Sequence, residues 1–224
     1  MYVEDVDGPL YRLDPSTGEE IWKLDRLVDE RNLQISGHAP DVWLIRSSFS
    51  IEGDDRAPIL RRVDFDTGAV LWAADGREGT EFQWTRPVVL DGLAILMDVT
   101  NNPGSSPEID GQAVRAYDVE TGALQWTTDL ANPLETFDFG LMAVLESENG
   151  KALILTTGGD VLRIDPRNGE VLWRTAVGNA RLGGTDFAGE DDRLAIDIVV
   201  RGDSALLPEG RTFLDFQTGE VLSE

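Results

Sequence analysis

The chain has 224 residues, enough to bury a substantial core in one large all-β domain or two small ones. It carries 42 Asp+Glu against 19 Lys+Arg, a formal net charge of -23. A surface of that sign repels phosphate backbones and anionic lipid heads, which argues against nucleic acid and polybasic-type membrane binding. Basic partners, or cations at acidic loops, stay open. Cysteine is absent, which removes disulfides, thiolate metal sites and cysteine nucleophiles. Runs such as Leu93 to Met97 are too short to span a bilayer, and no basic-then-apolar leader opens the chain. Because the chain starts almost inside its first repeat, an upstream signal or anchor is compatible with it. Only Lys23 and Lys151 are lysines, so the basic residues are nearly all arginine, a usage that suggests a GC-rich or salt-adapted source.

A repeat organises the rest. Leu10 to Asp14 predicts a short strand, followed by a turn through Thr17-Gly18 and a second strand closing on Trp22. Val42 to Ser47 reads as a further strand. The hairpin then recurs: Leu60 to Asp64, Thr67-Gly68, Trp72. Pro87 to Leu90 and Leu93 to Val99 make a strand pair ahead of the third copy, Val114 to Asp118, Thr121-Gly122, Trp126. Leu141 to Glu146 and Ala152 to Thr156 precede the fourth, Leu162 to Asp165, Asn168-Gly169, Trp173. Leu194 to Val200 precedes the fifth, Phe213 to Asp215, Thr218-Gly219, where Ser223 stands in place of Trp. Asp leads Gly by four residues in all five copies, and the aspartates recur at intervals of 50, 54, 47 and 50 residues.

Each copy has a local reason. The Asp carboxylate can accept amide hydrogens inside the turn, and Gly supplies a positive φ. No stretch keeps a helical period. Two strands ahead of each hairpin from the second onward make four strands per repeat, the pattern of a β-propeller blade. The expectation is therefore an all-β propeller of four-stranded antiparallel blades, about 4–5 in number, filling 1–224 as a single domain with a partial first blade. The first hairpin lacks its leading pair while the last copy has its own hairpin. That count favours an incomplete ring, and a small closed ring is the alternative.

These residues resemble the PQQ-like (quinoprotein-type) repeat with its tryptophan-docking motif, Ala-x-Asp-x-x-Thr-Gly-x-x-x-Trp. Ala116, Asp118, Thr121, Gly122 and Trp126 match it fully. The other copies keep Asp14, Gly18, Trp22, Asp64, Gly68, Trp72, Asp165, Gly169, Trp173, Asp215 and Gly219. The resemblance implies that these are structural repeat residues, each Trp docking on a neighbouring blade. The Ala position departs from the motif at Arg12, Arg62, Arg163 and Phe213. Two readings apply to the arginines: stacking on a Trp face, or pointing into solvent.

The family includes quinone-dependent dehydrogenases and cofactor-free interaction platforms such as the BamB-like envelope lipoproteins. Lacking cysteine, and poor in basic groups to neutralise an acidic quinone, this chain is expected to resemble the second kind. The resemblance thus implies a non-catalytic scaffold with no cofactor, no metal and a protein partner, outside the cytoplasm in the cell envelope. A PQQ-dependent dehydrogenase remnant and a sugar- or ligand-sensing propeller are the alternatives.

Smaller signals point the same way. His38 is the only histidine, which argues against a zinc site or a catalytic triad, and it reads as a loop residue near a blade edge. Asp64 to Gly68, with Asp75 at the twelfth position, partly resembles a calcium loop, but the hairpin turn accounts for the same residues. Gly178 to Gly184 lacks the Lys-Ser/Thr of a phosphate loop. Arg201-Gly202-Asp203 reads as a turn. Asn101 to Gly111 is the longest insertion and a candidate binding loop. Trp43, Phe82, Trp84 and Phe137 lie outside the motif and read as blade core, or as a protein contact if exposed together.

Overall fold

The structure is a computed structural model. It describes residues 2–4, 9–25, 33–38, 41–46, 58–75, 80–82, 87–101, 109–130, 142–147, 150–157, 160–177, 180–181, 193–201 and 206–222. All regular structure among them is β, in five antiparallel sheets.

Sheet 1 contains β1 (Tyr2–Glu4), β2 (Leu10–Leu13) and β3 (Glu20–Leu24). Sheet 2 follows with β4 (Leu33–His38), β5 (Asp41–Arg46), β6 (Pro58–Asp64) and β7 (Val70–Asp75). Sheet 3 is built from β8 (Thr80–Phe82), β9 (Val88–Leu90), β10 (Leu93–Asn101), β11 (Ile109–Asp118) and β12 (Leu124–Leu130). Strands β8 and β9 pair with opposite ends of β10, so together they form one interrupted edge. Sheet 4 is β13 (Met142–Ser147), β14 (Gly150–Thr157), β15 (Asp160–Ile164) and β16 (Val171–Ala176). Sheet 5 is β17 (Ala180–Arg181), β18 (Arg193–Arg201), β19 (Leu206–Asp215) and β20 (Val221–Leu222). Within sheets 1, 2, 4 and 5 spatial order equals chain order, the meander of a propeller blade.

The first hairpin has one leading strand, β1, paired with β2 with Tyr2 opposite Arg12, so sheet 1 has three strands among the described residues. One expectation changes. His38 is the last residue of β4, opposite Asp41, and not a loop residue. Trp84, Phe137, the centre of the 101–111 insertion, most of 178–184 and Gly202-Asp203 fall outside the described residues.

Core formation follows from strand position. Central strands are covered on both faces, so they read as unbroken apolar runs. Ala94, Ile95, Leu96 and Met97 on β10 are all 0% exposed. Period-two alternation sends them opposite ways. Ala94 and Leu96 pack with Leu60 and Ala74 of sheet 2. Ile95 and Met97 pack with Leu153 and Leu155 of sheet 4. Strand β14 repeats the device: Leu153 and Leu155 face sheet 3, while Ala152 and Ile154 join Leu194 and Leu214 of sheet 5. Leu10 and Trp22 of sheet 1 meet Val63 and Phe65 of sheet 2. Each core layer thus lies between consecutive blades. The β9–β10 hairpin is closed by Asp91-Gly92, both at positive φ (49° and 80°), the two-residue turn that matches strand twist.

The inter-blade docking site

The site begins at the hairpin turn. In every copy the Gly amide donates to the carbonyl of the Asp four residues before it, at 2.8 to 3.0 Å for Gly18, Gly68, Gly122, Gly169 and Gly219. The Asp amide donates to the carbonyl just after that Gly, from Glu19 to Glu220. The Asp carboxylate fills the inside of the turn. Asp64 Oδ1 accepts from the Asp66 and Thr67 amides and from the Thr67 hydroxyl (3.1, 2.7 and 2.7 Å). Asp118 takes the Thr121 amide and hydroxyl, both at 2.8 Å. Asp14 holds Ser16 and Thr17, Asp215 holds Gln217 and Thr218, and Asp165 is gripped by Arg167.

These donors stabilise the ionised carboxylates. All five aspartates are held below the ordinary aspartate range. The main cause is the Ser16 hydroxyl for Asp14, the Thr67 and Thr121 hydroxyls for Asp64 and Asp118, the Arg167 guanidinium for Asp165, and the Thr218 amide for Asp215. A carboxylate with a depressed folded pKa stabilises the fold above its unfolded pKa and loses that contribution as pH falls through the folded value. The charge of -23 acts in the opposite sense, since protonating surface carboxylates relieves repulsion. Thermal unfolding is therefore expected to show stability rising modestly from pH 7 towards pH 5, then falling below about pH 4. Asp118→Asn should make that acid limb shallower, and an unchanged limb would refute the turn carboxylates as its cause.

The preceding blade reads this turn. Trp22 Nε1 donates to the Phe65 carbonyl (2.9 Å), Trp72 to Val119 (2.6 Å), Trp126 to Pro166 (3.0 Å) and Trp173 to Phe216 (3.0 Å). Each acceptor is the residue just after the turn Asp of the following copy. Each indole also lies flat on the following copy's glycine. A Cβ on Gly68 would stand 2.7 Å from Trp22, on Gly122 2.6 Å from Trp72, on Gly169 2.5 Å from Trp126 and on Gly219 2.6 Å from Trp173. Glycine is required there twice, by φ of 72° to 77° and by contact with the indole. Thr128 and Thr175, two residues beyond their tryptophans, add hydroxyl bonds to the Gly169 and Gly219 carbonyls (2.5 and 2.6 Å).

The arginines join the dock. Arg12, Arg62 and Arg163 are the cross-strand partners of Trp22, Trp72 and Trp173. Their Nη1 atoms donate to the same carbonyls, Phe65 (2.5 Å), Val119 (2.6 Å) and Phe216 (2.9 Å). One carbonyl, with two lone pairs, receives both donors. The Arg12 guanidinium lies 3.8 Å over the Phe65 ring and that of Arg163 lies 4.3 Å over Phe216. For Arg12 and Arg163 the ring under the guanidinium is thus a next-blade phenylalanine. The solvent reading fails for Arg62 and Arg163, which are each 9% exposed. The third copy has Ala116 opposite Trp126.

Asp64 and Asp66, the first and third positions of the partial calcium-loop resemblance, face different tasks: Asp64 its own turn, Asp66 Oδ1 the Arg12 guanidinium at 3.1 Å. Sequence reasoning missed the residue two after each Asp as a partner of the preceding blade. Its signal was present, because it varies in step with the Arg or Ala of the copy before.

The family model described as outer membrane protein assembly factor BamB matches residues 6–205. The chain belongs to that family. BamB of Shewanella oneidensis is 26% identical over 192 residues, covering 84% of this chain and 44% of its own length. A polyvinylalcohol dehydrogenase of Sphingopyxis is 25% identical over 286 residues, covering 99% of this chain and 43% of its own length. The chain thus spans less than half of each of these two curated relatives, and enzymes stand among its relatives beside BamB. The crystal structure of BamB from Moraxella catarrhalis superposes with a TM-score of 0.55 at 16% identity, covering 99% of this chain and 59% of that one, which shows a shared propeller fold. In the docks described above the Gly and Trp of consecutive copies meet, and the Asp closes the turn that receives the indole.

Proposed function

We propose that this chain is a non-catalytic protein-interaction scaffold, acting in the assembly of outer-membrane proteins in the cell envelope. The observation that carries the reading is the match of the BamB family model across 6–205. Two features support it. The motif residues are spent on holding blades together, which leaves loops and outer strands to meet partners. The net charge of -23 suits a partner with a basic surface. Residues 1–224 are read as one domain of consecutive blades, an arc with a three-stranded first blade, and as operating without a cofactor.

A quinone-dependent dehydrogenase is the competing reading, supported by the polyvinylalcohol dehydrogenase relative. Two measurements on the full-length protein separate them. Fractionation and native purification should recover it from the envelope together with outer-membrane assembly proteins. Incubation with pyrroloquinoline quinone, Ca²⁺ and an alcohol should give no dye reduction above a protein-free control. Quinone-dependent turnover, or recovery in the cytoplasmic fraction, would overturn the proposal.

A further inference from the structure

The outer strands are not equally protected. A strand at the end of a sheet presents main-chain amides and carbonyls along its outer side. Charged and polar side chains there discourage other strands from pairing with it. Strands β3, β7, β12 and β16 are terminal in sheets 1 to 4. In each, the positions one, two, three and five residues after the turn glycine are exposed, save for half-buried Thr127. Sheet 1 fills them with Glu19, Glu20, Ile21 and Lys23. Sheet 3 has Ala123, Leu124, Gln125 and Thr127, and sheet 4 has Glu170, Val171, Leu172 and Arg174. Sheet 2 has Ala69, Val70, Leu71 and Ala73, with no polar group among them. Val70 is 43% and Leu71 47% exposed.

Acids stand at both ends of this apolar edge. Asp66, in the turn ahead of β7, keeps 84% of its side chain exposed while it pairs with Arg12. Asp75 is the last residue of the strand.

We propose that the outer side of β7 is a docking edge for an added strand: an extended, aliphatic segment of a partner protein with basic residues at its ends. Main-chain hydrogen bonds would give the affinity. Val70, Leu71 and Ala73 would supply the cross-strand contacts, and Asp66 and Asp75 would meet the basic ends. A second copy of this chain is a poor occupant. An antiparallel β7–β7 pair sets Asp66 of one copy towards Asp75 of the other, on top of a charge of -23 on each. The inference stands on this one strand and not on the scaffold reading.

The test uses the full chain and a synthetic peptide, Lys-Lys-Val-Thr-Val-Thr-Val-Lys-Lys, with amide hydrogen exchange read strand by strand. The expected result is that the peptide slows exchange in β7 and leaves β3, β12 and β16 unchanged. Ala73→Lys and the neutral Leu71→Gln give β7 the residue types that Lys23 and Gln125 supply in other blades, so both variants should fold. Each should weaken peptide binding about tenfold. N-methylation of alternate peptide residues blocks the ladder and should abolish the slowing. Glu in place of the peptide's Lys should weaken it. Exchange in β7 that the Lys peptide leaves unchanged overturns the dock. So does undiminished binding by the two variants or by the N-methylated peptide, which would mean adsorption to an acidic surface. Equal slowing in all four outer strands overturns the choice of β7. Slowing in β7 that grows with protein concentration alone would make a second copy the occupant and overturn the basic partner. The envelope and dye experiments test the scaffold reading separately.

Discussion

Trp126→Ala is expected to destabilise the protein by about 3–5 kcal/mol, the cost of truncating a buried Trp in a core. Trp126 is 8% exposed and belongs to a core layer shared by sheets 3 and 4, with Ile95, Met97, Leu155 and Ile164. Its loss also leaves the Pro166 carbonyl without the indole donor. Repeat folds depend on interfaces between neighbours, so the damage should be local before it is global. Native-state hydrogen exchange should quicken first in β11, β12 and β15, with β2 and β19 following only at higher denaturant. Uniform acceleration across all five sheets would show that the blades unfold as one unit, and would contradict this account. Trp126→Phe keeps most of the apolar area and should cost clearly less.

The second large effect is a contrast between two glycines of similar backbone conformation. Gly169 and Gly18 have φ of 77° and 75°. Alanine at either position pays for its Cβ in the left-handed region, about 1–2 kcal/mol. At Gly169 the new methyl would also meet Trp126 at 2.5 Å and the Thr128 hydroxyl at 2.5 Å. Displacing a packed indole adds about 1–3 kcal/mol, as overpacking does. Gly169→Ala should therefore cost about 2–5 kcal/mol in urea unfolding, and Gly18→Ala only about 1–2 kcal/mol. Equal losses at the two sites would mean that the glycines serve their turns alone and that the indole contact contributes nothing.

Much of this was legible in the chain. The Asp-to-Gly spacing of four marks a turn whose geometry is local. The carboxylate reaches amides two and three residues on, and only glycine tolerates the positive φ without strain. The apolar runs at Leu93 to Met97 and Ala152 to Thr156 announced central strands. Other strands were harder. Leu33–His38, Thr80–Phe82 and Ala180–Arg181 are blade edges, and their sequences are short or broken by polar residues, so pairing rather than pattern makes them strands. Val70, Leu71, Val171 and Leu172 are apolar, yet they are 38% to 47% exposed. They sit on the outer strand at a bulge in which Leu71 and Leu172 are the extra residues, and Trp72 and Trp173 carry the inward face.

By itself the sequence determined the repeat, the turns and the all-β class, because those rest on interactions between residues a few positions apart. The roles of Arg12, Arg62 and Arg163 were decided only by tertiary structure. Each arginine reaches a carbonyl more than fifty residues further along. Nothing local distinguishes a guanidinium that will be buried between two blades from one that will face water. The packing of consecutive sheets brings the acceptor within range, excludes solvent, and so makes a surface residue type part of the core.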